Sequence, residues 1–361
     1  MKTRRLALLL ALLAVREAVP QTGAQSKNTE APMNPGARSL PIEGDLPPFA
    51  GATGWLNSPP LAPADLRGKV VLVDIWTYTC INWRRTLPYL RAWAEKYRSQ
   101  GLVVVGVHSP EFSFEHDIDN VRQAAKGMGI GFPVPIDNDF SIWRALGNQY
   151  WPALYIVDGQ GRIRHHHFGE GGYEEAERAI QKLLEEAGQA NVPRSLVAVE
   201  GKGFELGADW ASLKSPENYL GAGRTENFAS PGGQVPGEPH GYQLPKRLSR
   251  NQWALAGEWT IGEEAVVLNK AGGRIAYRFQ ARDVNLVMGP TVRGGSVRFR
   301  VLVDGKPPGP AHGLDVNEQG AGTATDQRTY QLIRQPGPIR DRQVEIEFLD
   351  PGIEALDFSF G

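Results

Sequence analysis

The fold is decided by one stretch of the chain, Val70-Val71-Leu72-Val73-Asp74-Ile75-Trp76-Thr77-Tyr78-Thr79-Cys80-Ile81-Asn82-Trp83. Its first half is an apolar run rich in β-branched residues, which is typical of a strand buried on both faces. The residues that follow, 82–98, carry apolar side chains at helical spacing. The pattern therefore places Cys80 at a strand-to-helix turn, where free backbone N–H groups and the helix dipole favour a thiolate.

Cys80 is the only cysteine among 361 residues, so it cannot form a disulfide within its own chain. Hydrophobic residues make up 41% of the chain and charged residues 22%, with a formal net charge of −1. This balance is that of an ordinary soluble protein, and no basic block indicates a nucleic-acid partner. In an oxidising compartment structural disulfides need pairs of cysteines, so a lone one indicates either thiol chemistry or inert burial.

The beginning of the chain predicts export. Residues 1–24 combine a basic start, an apolar run over 6–15 and a plausible cleavage site at Thr22-Gly23-Ala24, which is the pattern of a signal peptide. The apolar run is too short to cross a bilayer as a helix. We therefore expect a location in a bacterial periplasm or outside the cell. Residues 25–59 are rich in Pro, Gly, Ala and Asn and are predicted to form a flexible lead-in.

Strand and helix patterns alternate over residues 60–192. The predicted elements are the strand 69–76, the helix 82–98 interrupted at Pro88, the strand 101–108, the helices 118–128 and 141–146, the strands 153–157 and 162–168, and the helix 173–186. The order β-α-β-α-β-β-α predicts an α/β domain built on one sheet.

This order and the segment from Trp76 and Thr77 to Cys80-Ile81-Asn82 together resemble the thioredoxin-like superfamily. The similarity is to redoxins of the TlpA and AhpC/TSA kind and to the extracytoplasmic region of DipZ proteins, in which Trp-Thr-x-x-Cys-Ile-Asn-Cys opens the active-site helix. In this chain Trp83 stands where the second cysteine would be. The internal disulfide of that family therefore cannot be carried over, and only Cys80 is matched.

The resemblance implies roles for several residues around Cys80, the expected nucleophile. Pro152, after Trp151, matches the cis-proline that shapes the substrate groove of the fold. Asp74 matches the buried aspartate that serves the second thiol in the family. With Trp83 in place of that thiol, Asp74 is expected either to be hydrogen-bonded locally or to tune Cys80.

Two further features near Cys80 leave alternatives open. Thr77 matches the Thr-x-x-Cys core of peroxiredoxins, in which the threonine hydroxyl helps to hold the peroxide, although Val73 replaces the proline of the longer pattern. Arg84 and Arg85 follow on the first helical turn. They either add positive potential beside the thiol or lie on a solvated helix face.

The histidines suggest a less favoured metal site. His165-His166-His167 lies in a predicted strand, and His108 ends another strand at the same pole of the fold. Cys80 and these histidines could bind copper or zinc in principle. No close-spaced pair of ligands supports a metal, so we expect no cofactor.

Residues 197–361 carry many short β-type runs separated by Gly and Pro turns, which predicts a jelly-roll-like β-sandwich. This part resembles the carbohydrate-binding-module-like domain that follows the thioredoxin domain in DipZ proteins. Trp253, Trp259 and Tyr242 could stack on a sugar, but aromatic residues of a sandwich more often form its core. The sandwich is therefore expected to bind either a carbohydrate or a protein, or to serve in packing.

The sequence thus indicates an exported thioredoxin-like oxidoreductase that works through one thiol. Peroxide reduction and thiol exchange with a protein thiol or disulfide both fit, and either needs an external thiol reductant to complete the cycle. The alternative is a degenerate thioredoxin fold kept as a binding scaffold, in which Cys80 would be enclosed by apolar neighbours. Residues 60–192 are expected to fold alone and to keep any thiol chemistry.

Overall fold

Seven strands form the first sheet. In the computed structural model, which describes residues 39–361, they are β1 Gly44–Asp45, β2 Gly54–Leu56, β3 Val70–Trp76, β4 Leu102–His108, β5 Val134–Ile136, β6 Ala153–Val157 and β7 Arg162–Phe168. Their spatial order is β1-β7-β6-β3-β4-β5-β2. The central strand β3 is parallel to β4 and antiparallel to β6. The predicted α/β fold is confirmed, with β5 as a strand that the predicted order lacked, and the predicted signal peptide lies outside the described residues.

Five α-helices accompany this sheet. They are α1 Pro63–Leu66, α2 Ile81–Lys96, α3 Ile118–Gly127, α4 Ser141–Ala145 and α5 Tyr173–Glu186. Every residue of β3 is buried because helices and loops cover both faces of the sheet, which explains its unbroken apolar run. The predicted interruption at Pro88 is wrong, since α2 runs through it. Pro88 is buried, so its packing offsets the backbone hydrogen bond that proline cannot donate.

The lead-in predicted over residues 25–59 is wrong for its described part, because residues 44–45 and 54–56 are strands of the sheet. β1 pairs with β7, and β2 pairs with β5, so these two short strands form the sheet edges. Phe49, which lies between the two strands in the sequence, is buried and packs in the core on one face of the sheet. The sequence did not predict these strands, because the segment is rich in Pro and Gly and the strands are too short to show an alternating pattern.

Eleven strands form the second sheet. They are β8 Asn218–Tyr219, β9 Pro239–Tyr242, β10 Trp253–Ile261, β11 Val266–Leu268, β12 Arg274–Gln280, β13 Asp283–Pro290, β14 Val297–Val303, β15 Ala321–Ala324, β16 Arg328–Arg334, β17 Asp341–Phe348 and β18 Ile353–Phe360. Nine follow one another in the order β15-β14-β17-β12-β10-β11-β18-β13-β16, with β8 paired to β18 and β9 to β10. All ladders between these strands are antiparallel.

This large sheet curls into a β-sandwich at β10. The first residues of β10 pair with β12, and its later residues pair with β9 and β11. Gly257 lies at this crossing with φ +96°, and a Cβ there would approach Gly273 Cα to 2.8 Å. Only glycine fits such a conformation and such a close approach. The predicted sandwich is confirmed, and its curl encloses an apolar core that includes Trp253, Trp259 and Tyr242.

The two sheets pack against each other. One buried apolar cluster contains Trp83 of α2 together with Val287 of β13 and Leu356 of β18. The Thr329 hydroxyl on β16 donates a buried hydrogen bond to the Thr79 carbonyl at 2.7 Å. The described residues accordingly form one compact unit. The sandwich therefore contacts the thioredoxin-like part directly at the residue before Cys80.

Candidate thiol site beneath the sandwich

Cys80 occupies the N-cap position of α2. The strand β3 ends at Trp76, and the Cys80 N–H donates to the Thr77 carbonyl at 3.4 Å, which closes the turn between strand and helix. Backbone N–H groups of Asn82 and Trp83 donate hydrogen bonds toward the Cys80 sulfur. The predicted strand-to-helix position is confirmed, with the amide environment that stabilises a thiolate.

Burial dominates the electrostatics of Cys80, whose side chain is almost completely enclosed. Only 8% of the residue is exposed, and it lies in the apolar cluster shared with the sandwich. Burial raises the pKa of the Cys80 thiol well above its ordinary value, and the negative charges of Glu217 and Glu111 raise it further, despite the two amide hydrogen bonds. The thiolate favoured by the helix terminus alone is therefore not the resting state, because desolvation outweighs the amides.

Trp83 and Asp74 form a hydrogen-bonded pair in the core beneath Cys80. Trp83 is fully buried, and its indole Nε1 donates to Asp74 Oδ2 at 2.7 Å. The Trp83 ring also stacks on Trp76, with 4.2 Å between ring centroids. Burial raises the pKa of Asp74 to about 8, an effect that the indole hydrogen bond partly offsets. Asp74 thus accepts a hydrogen bond from the residue that replaces the second thiol.

Thr77 directs its hydroxyl toward a buried polar group on the neighbouring strand. Its Oγ1 lies 3.5 Å from His108 Nε2, and the Thr79 hydroxyl donates to Glu115 Oε1 at 2.7 Å. Burial lowers the pKa of His108 to about 3 and raises that of Glu115 to about 7. His108 is therefore neutral near pH 7, whereas Glu115 would titrate close to that pH. No sequence motif marked Glu115, which reaches the site from the loop before α3.

Pro152 lies at the same end of the sheet as Cys80. The Trp151–Pro152 peptide bond is cis, as the resemblance implied. Ala153 pairs with Ile75, one residue before the end of β3, so the register brings Pro152 level with the start of the Cys80 turn. The Trp151 indole donates to the Ser109 carbonyl at 3.0 Å, which anchors this segment against the end of β4.

Arg84 and Arg85 were expected either to add positive potential beside the thiol or to lie on a solvated helix face. Neither expectation describes their environment. Arg85 is 3% exposed, and its guanidinium donates to Glu170 Oε2 and to the Phe360 carbonyl, each at 3.2 Å. Arg84 lies over the Phe204 ring, with 4.4 Å from its Cζ to the centroid. Because the sandwich and the connecting segment cover this turn of α2, the two side chains lie at an interface instead of on a solvated face.

A row of polar side chains on the sandwich faces the thioredoxin-like part. Asn285, Gln331 and Ser359 are neighbours across β13, β16 and β18, and each is buried. One oxygen of each side chain has no hydrogen-bond partner among the described residues, namely Asn285 Oδ1, Gln331 Oε1 and Ser359 Oγ. Asp357, on the same face, is also buried. The alternation of polar and apolar residues along these strands was the only sequence signal for this polar row. The same alternation indicates a solvated sheet face as readily as an interface.

The predicted metal alternative gains no geometric support. The described part of the chain contains no group of three or more His, Cys, Asp or Glu side chains arranged to hold a metal ion. His166 is exposed and pairs with Glu43 at 2.8 Å, whereas burial lowers the pKa of both His165 and His167. Within residues 39–361, no helix has the length and apolar character needed to cross a membrane.

Two family models match separate parts of the chain. Residues 47–166 match the AhpC/TSA family, and residues 215–361 match a thioredoxin like C-terminal domain. These matches correspond to the α/β sheet and to the sandwich described above. The chain is therefore similar to the AhpC/TSA family over its α/β part and to the thioredoxin like C-terminal domain over its sandwich.

Relatives resemble the chain over different lengths. Protein DipZ of Mycobacterium tuberculosis is 35% identical over 275 residues, which cover 75% of this chain and 38% of DipZ. Protein SUPPRESSOR OF QUENCHING 1 of Arabidopsis thaliana is 38% identical over 148 residues, covering 41% of this chain and 14% of that protein. The thiol-disulfide oxidoreductase YkuV of Bacillus subtilis is 28% identical over 141 residues, covering 39% of this chain and 95% of YkuV. The chain thus spans well under half the length of DipZ.

Proposed function

We propose that this protein is a monothiol redoxin, in which Cys80 exchanges disulfides with external partners and the sandwich controls access to the thiol. The observation that carries the proposal is the environment of Cys80 at the N-cap of α2, where the N–H groups of Asn82 and Trp83 point at its sulfur. Pro152, at the same end of the sheet, would shape the groove for the partner. The similarity to a thiol-disulfide oxidoreductase supports the same reaction class.

The reaction needs one protein thiol and two external groups. The Cys80 thiolate attacks one sulfur of the partner's disulfide, whose S–S bond breaks as the other half leaves as a thiolate. Cys80 is then held in a mixed disulfide. An external thiolate then attacks the partner's sulfur in this mixed disulfide and forms a new disulfide with it. The bond to Cys80 breaks, and Cys80 leaves as a thiolate. Because Trp83 removes the resolving thiol, the second step always depends on another molecule.

Access to Cys80 requires the sandwich to separate locally from the start of α2. The interface there contains the partly unsatisfied row Asn285, Gln331 and Ser359. Buried polar groups without partners weaken an interface, since each loses its hydrogen bonds to water. We therefore place the opening at this interface, where water would satisfy these groups and would also lower the thiol pKa toward its ordinary range.

Peroxide reduction has less support than thiol exchange. It would use the Thr77 hydroxyl beside the thiol, whereas that hydroxyl lies 3.5 Å from His108 Nε2. Arg85, one of the two nearby cations, is bonded to Glu170 and to the Phe360 carbonyl. A bound peroxide would need both side chains to change partners.

The second candidate function is a binding scaffold without thiol chemistry. The burial of Cys80 favours it, because an inert thiol is expected to be enclosed by apolar neighbours. Export to a periplasm or beyond the cell, proposed from residues 1–24, suits either function. The two candidates differ in whether the folded chain lets Cys80 react.

Thiol exchange is tested with a neutral disulfide. The full chain is mixed with 4,4′-dithiodipyridine, and release of thiopyridone is followed while circular dichroism monitors the fold. We expect one equivalent to be released from the folded chain, with a matching mass increase that a reducing thiol reverses. Cys80→Ser should release none. Release that occurs only in denaturant would reject the exchange reaction and support the scaffold.

A further inference from the structure

A groove of about 640 Å³ lies between the thioredoxin-like part and loops of the sandwich. Its apolar lining comes from Tyr78, Phe114, Met128 and Phe204, and the sandwich contributes residues 290–291, 293–294 and 325–328. This volume is within the range of small-molecule sites. Neither the exchange reaction nor the sequence patterns assign a role to it.

One cation in the groove, Arg84, forms no salt bridge within residues 39–361. Arg84 lines the groove, and its Nε is buried without a hydrogen-bond partner among the described residues. Its contact with the Phe204 ring is a cation–π interaction, which uses none of the N–H donors of the guanidinium. Burial lowers the pKa of Arg84 to about 10, an effect that the charges of Glu205 and Asp315 offset only in part.

The carboxylates near Arg84 are already paired with other arginines. Arg91 binds both oxygens of Glu205, at 2.8 and 2.7 Å, and Arg328 donates to Asp315 at 2.7 Å. Three guanidinium groups therefore share two carboxylates. Arg84 is half-buried and forms no ion pair with either of these carboxylates, and a charge that is partly removed from water without a partner is costly.

The other charged residues described in the groove do not supply this partner. Arg293 pairs with Asp117 at 3.0 Å, so these two charges cancel. Asp326 is exposed and accepts a hydrogen bond from the Thr325 hydroxyl, so water hydrates its carboxylate. Within the described residues the groove thus has one guanidinium without an ion pair, Arg84, and one carboxylate without an ion pair, Asp326, whose negative charge opposes a dianion more than a monoanion.

We infer that this groove binds a small organic carboxylate. The acid group would pair with the planar fork of the Arg84 guanidinium, whose geometry matches a carboxylate. The apolar body of the ligand would lie against Tyr78, Phe114 and Met128. This site is independent of the redox state of Cys80 and of the proposed exchange reaction.

The test uses benzoate as the probe, with benzamide as its neutral counterpart and phenyl phosphate as a dianionic one. Calorimetric titration of the full chain should show saturable binding of benzoate, with at least tenfold weaker binding of benzamide and of phenyl phosphate. Arg84→Gln should weaken benzoate binding at least tenfold. Arg122→Gln, which alters an exposed arginine of α3, should leave it unchanged.

A second measurement separates a binding role from a structural one. In buffer containing only chloride as a small anion, Arg84→Met should unfold at a temperature no lower than the parent chain, because it removes a half-buried, only partly compensated charge while keeping apolar bulk. Benzoate should raise the melting temperature of the parent chain and not that of the variant. Equal binding of benzoate and benzamide, tighter binding of phenyl phosphate, no saturable binding, or benzoate binding unaffected by Arg84→Gln would each overturn the inference.

Discussion

At the residue scale, the pair of Asp74 and Trp83 shows how one substitution changes the role of its neighbour. The indole of Trp83 fills the core and donates to the carboxyl group that the resemblance assigned to a second thiol. Because burial raises the pKa of Asp74 to about 8, this group holds a proton in the folded chain over a range in which the unfolded chain has lost it. Asp74 therefore destabilises the fold increasingly as the pH rises from 4 to 8.

Asp74→Asn should remove this dependence, since an amide oxygen can accept the same indole hydrogen bond without titrating. We expect the free energy of unfolding of the parent chain to fall between pH 5 and pH 7 more steeply than that of the variant, by about 1 kcal/mol per pH unit. Urea unfolding at pH 5, 6 and 7 measures both slopes. Asp139→Asn, at an exposed position, is the control and should follow the parent. Parallel slopes for the parent and Asp74→Asn would show that Asp74 is ionised in the folded chain.

At the element scale, the contact between β16 and the turn before α2 holds the sandwich over Cys80. Thr329→Val keeps the side-chain shape but removes the hydroxyl that donates to the Thr79 carbonyl at 2.7 Å. Loss of one partner of a buried hydrogen bond costs about 1–3 kcal/mol. We expect the folded variant to react with 4,4′-dithiodipyridine at least fivefold faster than the parent, because the interface opens more often.

Thr323→Val, on an exposed position of β15, serves as the matched control for this variant. It should leave the reaction rate of Cys80 unchanged. A Thr329→Val variant that loses stability but reacts at the parental rate would mean that Cys80 is reached by a route other than this interface.

At the scale of the whole molecule, the apolar core shared with the sandwich affects the stability and the thiol reactivity expected of an isolated thioredoxin-like domain. Folding of residues 60–192 alone remains a prediction, but this fragment lacks β1, β2 and the buried Phe49. A fragment of residues 39–197 keeps both edge strands and should melt at a higher temperature than 60–192. In either fragment Cys80 should react faster than in the full chain, because the sandwich no longer buries it.

Thermal unfolding followed by circular dichroism and thiopyridone release test these two expectations. The full chain is the reference for both measurements, and the fragments are compared under conditions in which each is folded. Equal thiol reactivity in the full chain and in the fragment of residues 39–197 would mean that the sandwich does not control access. The second domain would then contribute stability alone.

The sequence by itself determined the local structure around Cys80. The apolar run of β3 and the helical spacing after it placed the thiol at a strand-to-helix turn, because a doubly covered strand and an amphipathic helix have distinct periodicities. The alternating short runs after residue 197 likewise predicted the sandwich. The motif also indicated the cis bond before Pro152, through the resemblance rather than through the dipeptide.

Only the tertiary structure decided the state of the thiol. A helix terminus favours a thiolate, whereas the packing of Val287 and Leu356 with the cluster around Cys80 removes water and raises the pKa. These residues lie more than 200 positions from Cys80 in the chain, and no local pattern records which surface a sheet face will cover. The physical reason is that desolvation depends on contacts between distant segments, so the sequence identified the candidate thiol but not its environment.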